Sequence, residues 1–287
     1  MKRPILVLIC GLLFAFVLDR VGAIFCKNVT DASGFRLFAL YGDAISPELL
    51  IAGNSRAMQS FDAELMTAES GQKVFNIGFN GAPPDLVCAF VKDAVDRHSS
   101  VRTVVIEASC FWPINPGADV KPLALYSDRI DQYLRETNVT AYRFVKLSKL
   151  YAFNSELFHR AFFFRKHSDQ RLHATGVITP EIIAARSDEQ FFPASATASH
   201  IELLDDLQSY LNGRKVRLIL VIAPYHPSTA PRFSDYDSLL SSVSSPDRRL
   251  IDCSQVLRED KYFADRLHLN IDGAREFTRI LQPLVFE

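Results

Sequence analysis

Leu49-Leu50-Ile51-Ala52-Gly53-Asn54-Ser55 opens with four apolar residues and stops at a glycine. A short continuous apolar run closed by a turn signal reads as a strand buried in a parallel sheet. Val74-Phe75-Asn76-Ile77 before Gly78 repeats the pattern. Thr103-Val104-Val105-Ile106-Glu107, Leu218-Ile219-Leu220-Val221-Ile222 and Leu250-Ile251-Asp252 bring the candidate strands to five. Between them, Pro84 to Val95, Ile201 to Leu211 and Asp272 to Leu284 carry apolar residues at helical spacing, the first behind a Pro-Pro start. Strands alternating with helices predict an α/β fold whose parallel sheet is covered on both faces.

The 287 residues, 48% of them hydrophobic, suit one large α/β domain. Lys+Arg of 32 against Asp+Glu of 33 leaves a net charge of -1, which offers no basic field for nucleic acid. Five cysteines, scattered and without a C-x-x-C pair, exclude a disulfide framework and a zinc or redox motif. Cys88 and Cys253, among apolar neighbours, read as buried free thiols.

The N-terminus sets the compartment. Lys2 and Arg3 precede Pro4 to Leu18, fifteen residues without a charge, then Asp19-Arg20, then Val21 to Phe25. A basic start before an unbroken apolar run is what export machinery reads. Residues 1–26 are therefore expected to be a signal anchor or a signal peptide, with 27–287 outside the cytoplasm. Fifteen residues are short for a span of ~20, unless Asp19 and Arg20 reach headgroups or pair together. Val21-Gly22-Ala23 also suits cleavage after Ala23. Neither alanine nor glycine precedes Cys26, which argues against lipid attachment there.

From about 120 to 171 the chain is helical in tendency, rich in aromatics and without a strand signal. This segment reads as an insertion that caps the sheet. Pro193 to Ser199 and Ser241 to Pro246 read as loops.

In an open parallel sheet, ligands bind beyond the carboxyl ends of the strands. Ser55 follows the first strand, and a serine hydroxyl becomes a nucleophile when a base removes its proton. Gly78 follows the second, where backbone N–H groups can approach a substrate oxygen closely. Ser109 follows the third and His226 the fourth. Beyond the fifth come Asp265 and His268, a carboxylate three residues before an imidazole that it can orient and stabilise. Together these are the parts of a Ser-His-Asp acyl-transfer site.

Gly53-Asn54-Ser55, Gly78, and Asp265 to His268 with Asn270 and Gly273 resemble the blocks of the SGNH (GDSL-type) hydrolase family, over roughly residues 47 to 284. The resemblance implies a three-layer α/β/α flavodoxin-like fold, Ser55 as nucleophile, His268 as base, Asp265 as its orienter, and Ser55 and Gly78 N–H groups as oxyanion donors. No cofactor is expected. One departure stands out: the family's third block supplies an Asn side chain to the oxyanion hole, and here strand three ends in Glu107-Ala108-Ser109-Cys110. Asn80 and Ser109 are the candidate substitutes; losing one donor costs on the order of 10²–10³ in rate.

With its export segment and Ala-Pro-Tyr-His-Pro stretch, the chain is similar to the branch that includes alginate O-acetylation and D-alanine transfer proteins of bacterial envelopes. That likeness implies an O-acyl, foremost O-acetyl, esterase or acyltransferase. Its partners would be an acylated polysaccharide or other envelope carbohydrate, and a membrane-bound O-acyltransferase. The alternative is a non-catalytic carbohydrate-binding or assembly subunit that kept the fold and lost the donor.

Other residues have two readings each. Arg56 is a contact for an anionic sugar or a surface ion pair; His226 is a substrate contact or a structural loop histidine. Trp112 is a sugar-stacking ring or core. Phe162-Phe163-Phe164, with Arg160, Arg165 and Lys166 nearby, suits membrane contact, but a buried helix of the insertion is the expected state. His159, His167 and His173 are not spaced as ligands on one helical face, and no metal site is expected.

Overall fold

Five strands, β1 (Leu49–Ala52), β2 (Val74–Asn76), β3 (Thr103–Glu107), β4 (Arg217–Ile222) and β5 (Arg249–Asp252), form one parallel sheet in the order β2-β1-β3-β4-β5. They coincide with the five apolar runs to within a residue or two. The computed structural model describes residues 2–42, 45–112, 118–184, 198–229, 236–246 and 248–287. The helices are α1 (Lys2–Asp31), α2 (Arg36–Tyr41), α3 (Ser55–Ser60), α4 (Ala63–Ser70), α5 (Pro84–Arg97), α6 (Asp128–Thr137), α7 (Val139–Leu147), α8 (Glu156–Phe163), α9 (Pro180–Ala184), α10 (Ala198–Asn212), α11 (Tyr236–Val243) and α12 (Ile271–Phe286). They fall into two compact units, Met1–Ala44 with Asp119–Asp169, and Ile45–Ala118 with Gln170–Glu287.

The sheet unit is held by its apolar strands. Leu49, Leu50 and Ile51 of β1 have no exposed surface, which stabilises the fold by about 1.5–3 kcal/mol for each side chain. Phe61, at the end of α3, meets Phe277 of α12 edge to face at 5.4 Å, and α5 packs against α10. Helix starts are built as the sequence suggests: Pro84 opens α5, and Asn270 Oδ1 accepts the Gly273 N–H at 2.9 Å to open α12. The exposed edge of β2 is covered by the Gln170 side chain, which accepts from Asn76 N at 2.8 Å and donates to Asn76 O at 2.9 Å. Cys88 and Cys253 are buried, and desolvation pushes their thiols up to about 12 and about 11.

Two details differ from the expected layout. Ser241 to Val243, read as a turn, is the end of α11; the Ser241 hydroxyl donates to Asp237 O at 2.7 Å, a back-bond that lets serine sit in a helix. Residues 193–197 of the expected Pro193 to Ser199 loop lie outside the described residues, and α10 begins at Ala198.

The other unit is built on α1, a continuous helix of 30 residues, about 45 Å long. Nothing breaks at 26. Residues 3–18 are exposed all round, whereas Ala23 enters a core with Leu134, Ala141, Val145, Ala152 and Phe153. The insertion therefore packs on α1. Asp19 fastens the two: its carboxylate accepts from Ser148 Oγ and from the N–H groups of Lys149 at 3.0 Å and Leu150 at 3.1 Å. At the far end Arg36 and Asp169 form a buried pair, Nε to Oδ2 2.7 Å. The Phe162–Phe164 run is not a buried helix face: Phe162 and Phe163 are exposed, because Leu157 and Ala161 take the inward positions of α8.

Candidate active site

Because all strands are parallel and in register, their carboxyl ends open on one rim: Ala52 pairs with Ile106, and Glu107 with Val221. Chain order reverses between β1 and β3, and at such a switch point the outgoing loops diverge and leave a crevice. Ser55 leaves the rim from β1 and Ser109 from β3.

Gly53 makes the exit of β1 possible. Its φ of +142° is a conformation side chains rarely adopt, and an added Cβ would stand 2.8 Å from the Ala57 Cβ. Asn54 then caps α3, its side chain accepting the Arg56 N–H at 2.9 Å. Ser55 is the first residue of that helix, and its hydroxyl stands 2.8 Å from His268 Nε2.

His268 is aimed from the other side. Its Nδ1 lies 2.9 Å from Asp265 Oδ2 and 3.1 Å from Oδ1, and Asp265 Oδ1 also accepts the N–H groups of Leu267 at 2.7 Å and His268 at 2.9 Å. Burial acts to raise the Asp265 carboxyl, but the hydrogen bond to His268, its charge and the two backbone donors together outweigh it and hold the group below the usual carboxylate range. An ionised carboxylate only accepts, so the imidazole proton belongs on Nδ1 and the Nε2 lone pair faces Ser55. Ser55, His268 and Asp265, 213 residues apart at the extremes of one bond, thus meet in a single relay.

Ser55 and His268 open onto a cleft of about 150 Å³, lined also by Arg56, Gly81, Ser109, Trp112 and Tyr225. Gly78 is not part of it. Its N–H donates to Asn76 Oδ1 at 2.8 Å, and an added Cβ would lie 2.7 Å from Met58 N. It packs closely under α3, and the glycine of this stretch that lines the cleft is Gly81, three residues on. The Asn80-Gly81 turn dipeptide was the available signal. Asn80 itself is exposed and off the cleft.

Ser109 reaches the cleft, but its hydroxyl donates to Glu107 Oε2. Glu107, with no exposed surface, is also 3.2 Å from Arg56 Nε. Arg56 is buried and is not a surface ion pair. Its guanidinium donates to Glu107, to Leu267 O, and to Ala223 O and Pro224 O, and it lies 3.5 Å over the Tyr225 ring. One buried side chain therefore joins the ends of β3 and β4 to the loop that carries His268. Trp112 is buried and stacks on Tyr225, with ring centroids 6.0 Å apart.

His226 does not line the cleft either. It is buried, with Nδ1 2.8 Å from Ser228 Oγ and Nε2 3.0 Å from Asp260 Oδ1, and its N–H donates to Arg266 O. It braces the loop before His268. Among the described residues no group of three or more His, Cys, Asp or Glu side chains converges as a metal site.

Residues 127–287 match a protein-family model whose description states no function. The chain belongs to that family. The matched span takes in the helical insertion and the Asp265–His268 block and begins beyond Ser55. No curated protein registers as a match.

Proposed function

We propose that this protein is an SGNH-type ester hydrolase or O-acyltransferase that acts on an O-acylated, foremost O-acetylated, carbohydrate outside the cytoplasm. The observation that carries the reading is the 2.8 Å approach of Ser55 Oγ to a His268 whose other nitrogen is held by Asp265. The strand order β2-β1-β3-β4-β5 supports it, since a flavodoxin-like sheet has that order.

Ser55 Oγ attacks the ester carbonyl while its proton passes to His268 Nε2. Collapse expels the alcohol, which takes that proton, and leaves the acyl group on Ser55. Water or a sugar hydroxyl then attacks; its proton goes to His268 and returns to Ser55 as the product leaves. Asp265 stabilises the imidazolium in both halves. Backbone N–H groups of Ser55 and Gly81 are the oxyanion donors in this reading, and Arg56 keeps the strand ends and the His268 loop together.

A fluorophosphonate should label the wild type and not Ser55→Ala. Supplied with an acetyl-ester donor and a polysaccharide acceptor, a transferase yields acetylated polysaccharide and an esterase only acetate. A second reading, a non-catalytic binding or assembly subunit, is favoured by one observation: the hydroxyl at the third-strand position, Ser109, is committed to Glu107. Absence of labelling in folded wild type selects it.

The N-terminal segment is proposed to stay attached as an anchor. Cleavage after Ala23 would remove the Asp19 carboxylate from the Ser148–Leu150 turn and one wall of the insertion's core. The intact mass of the protein from a membrane fraction should include residues 2–23; a mass short of them overturns the anchor.

A further inference from the structure

The apolar run before Asp19 is too short to cross a bilayer alone. Pro4 to Leu18 spans fifteen residues, about 22 Å at 1.5 Å per residue, against a hydrocarbon core of about 30 Å. The remainder of the thickness has to be met beyond Asp19, where Val21, Ile24 and Phe25 keep their side chains exposed. At that level α1 is no longer alone. Leu150 lies on Gly22, with Cδ1 3.2 Å from where a Cβ would stand, and Asp19 holds the Ser148–Leu150 turn.

Together, α7 and the turn that follows it present an exposed stripe. Phe144, Leu147 and Leu150 are 48%, 74% and 41% exposed, spaced three apart. Arg143, Lys146 and Lys149 alternate with them, Lys146 also pairing with Asp131 at 2.7 Å. Apolar side chains interleaved with cations suit the boundary between acyl chains and anionic headgroups, where Lys and Arg reach outward.

Resting on the anchor reading above, we infer that Phe144, Leu147 and Leu150 dip into the membrane interface beside α1, and that Arg143, Lys146 and Lys149 meet anionic lipid headgroups. The insertion is thus a second membrane contact beside the span of α1. The aromatic run at Phe162–Phe164 is excluded from this face. The Phe164 carbonyl accepts the Gly34 N–H at 2.9 Å, which places it about 20 Å farther along the helix direction than Asp19.

The test uses the full chain in vesicles of phosphatidylethanolamine and phosphatidylglycerol with brominated acyl chains, which quench tryptophan on contact. Phe14→Trp, Leu147→Trp and Phe163→Trp are compared with wild type, whose own Trp112 sets the baseline. All three positions are exposed, so none disturbs packing. Expected is loss of the added emission at 14 and 147 and retention at 163. Quenching at 14 without quenching at 147 overturns the interfacial contact and leaves the anchor standing. Equal quenching at 147 and 163 overturns it too, since the stripe is then not distinguished by depth. Quenching at neither 14 nor 147 overturns the anchor and this contact together. A further measurement separates the headgroup part: replacing phosphatidylglycerol by phosphatidylcholine should weaken the 147 signal and leave the signal at 14 unchanged; an unaltered 147 signal removes the role of the cations.

Discussion

Two histidines of the sheet unit each sit between a serine hydroxyl and a carboxylate. His268 joins Ser55 to Asp265 through bonds of 2.8 and 2.9 Å; His226 joins Ser228 to Asp260 through bonds of 2.8 and 3.0 Å. By distance alone they are nearly indistinguishable. They differ in where the parts come from and what they face. Ser228 is two residues from His226 in one turn, on the opposite nitrogen from the order a relay needs, and His226 is 3% exposed with its ring perpendicular to that of Phe263. Ser55 comes from another strand end, starts a helix, and shares a cleft with His268. A triplet becomes chemically useful when a substrate can reach the hydroxyl and when the carboxylate fixes the nitrogen that does not face it.

The largest expected effect separates the two triplets directly. Ser55→Ala or His268→Ala should lower ester turnover by on the order of 10⁶, whereas Ser228→Ala should leave it unchanged; a similar loss at Ser228 would reverse the assignment. Asp265→Asn should keep the fold and reduce kcat by about 10⁴, because the amide favours the wrong tautomer. Steady-state kinetics on an activated acetyl ester reads both.

Stability sharpens the contrast. Arg56→Met leaves the Glu107 carboxylate buried without its cation and should cost about 3–5 kcal/mol in denaturant unfolding. The mutation should lower Tm even with no substrate present, which a sugar-contact role would not do. His226→Gln should cost about 1–3 kcal/mol while fluorophosphonate labelling of Ser55 persists. The smallest effect concerns acid. Asp265 titrates lower folded than unfolded, so its contribution is present above the ordinary carboxyl pKa and is lost as pH falls through the depressed one. Wild type and Asp265→Asn should therefore converge in Tm toward low pH; curves that stay parallel would contradict this.

The strands were legible because each carries an apolar run, and in β1, β3 and β4 burial on both faces leaves no polar alternation to confuse the reading. Ser55, Asp265 and His268 were legible because strand-end placement is a topological rule. What escaped depends on local geometry that residue types do not encode. Gly78 and Gly81 both sit in Asn76–Gly81, and only the backbone tells which one packs under a helix and which one faces the cleft. Arg56 looked like a surface cation because its four acceptors lie in segments far away in the chain. The Phe162–Phe164 run looked buried by composition, while helix phase gave the inward positions to Leu157 and Ala161.

The bond from Arg56 to Leu267 spans 211 positions of the chain. Such a clasp closes only after the chain as far as Leu267 is available, since distant segments must be brought together before the contact repays the ordering. A chain still emerging in an extended state, or one truncated ahead of Leu267, carries the Ser55 hydroxyl without its imidazole partner. The clasp is therefore coupled to synthesis of the chain past Leu267.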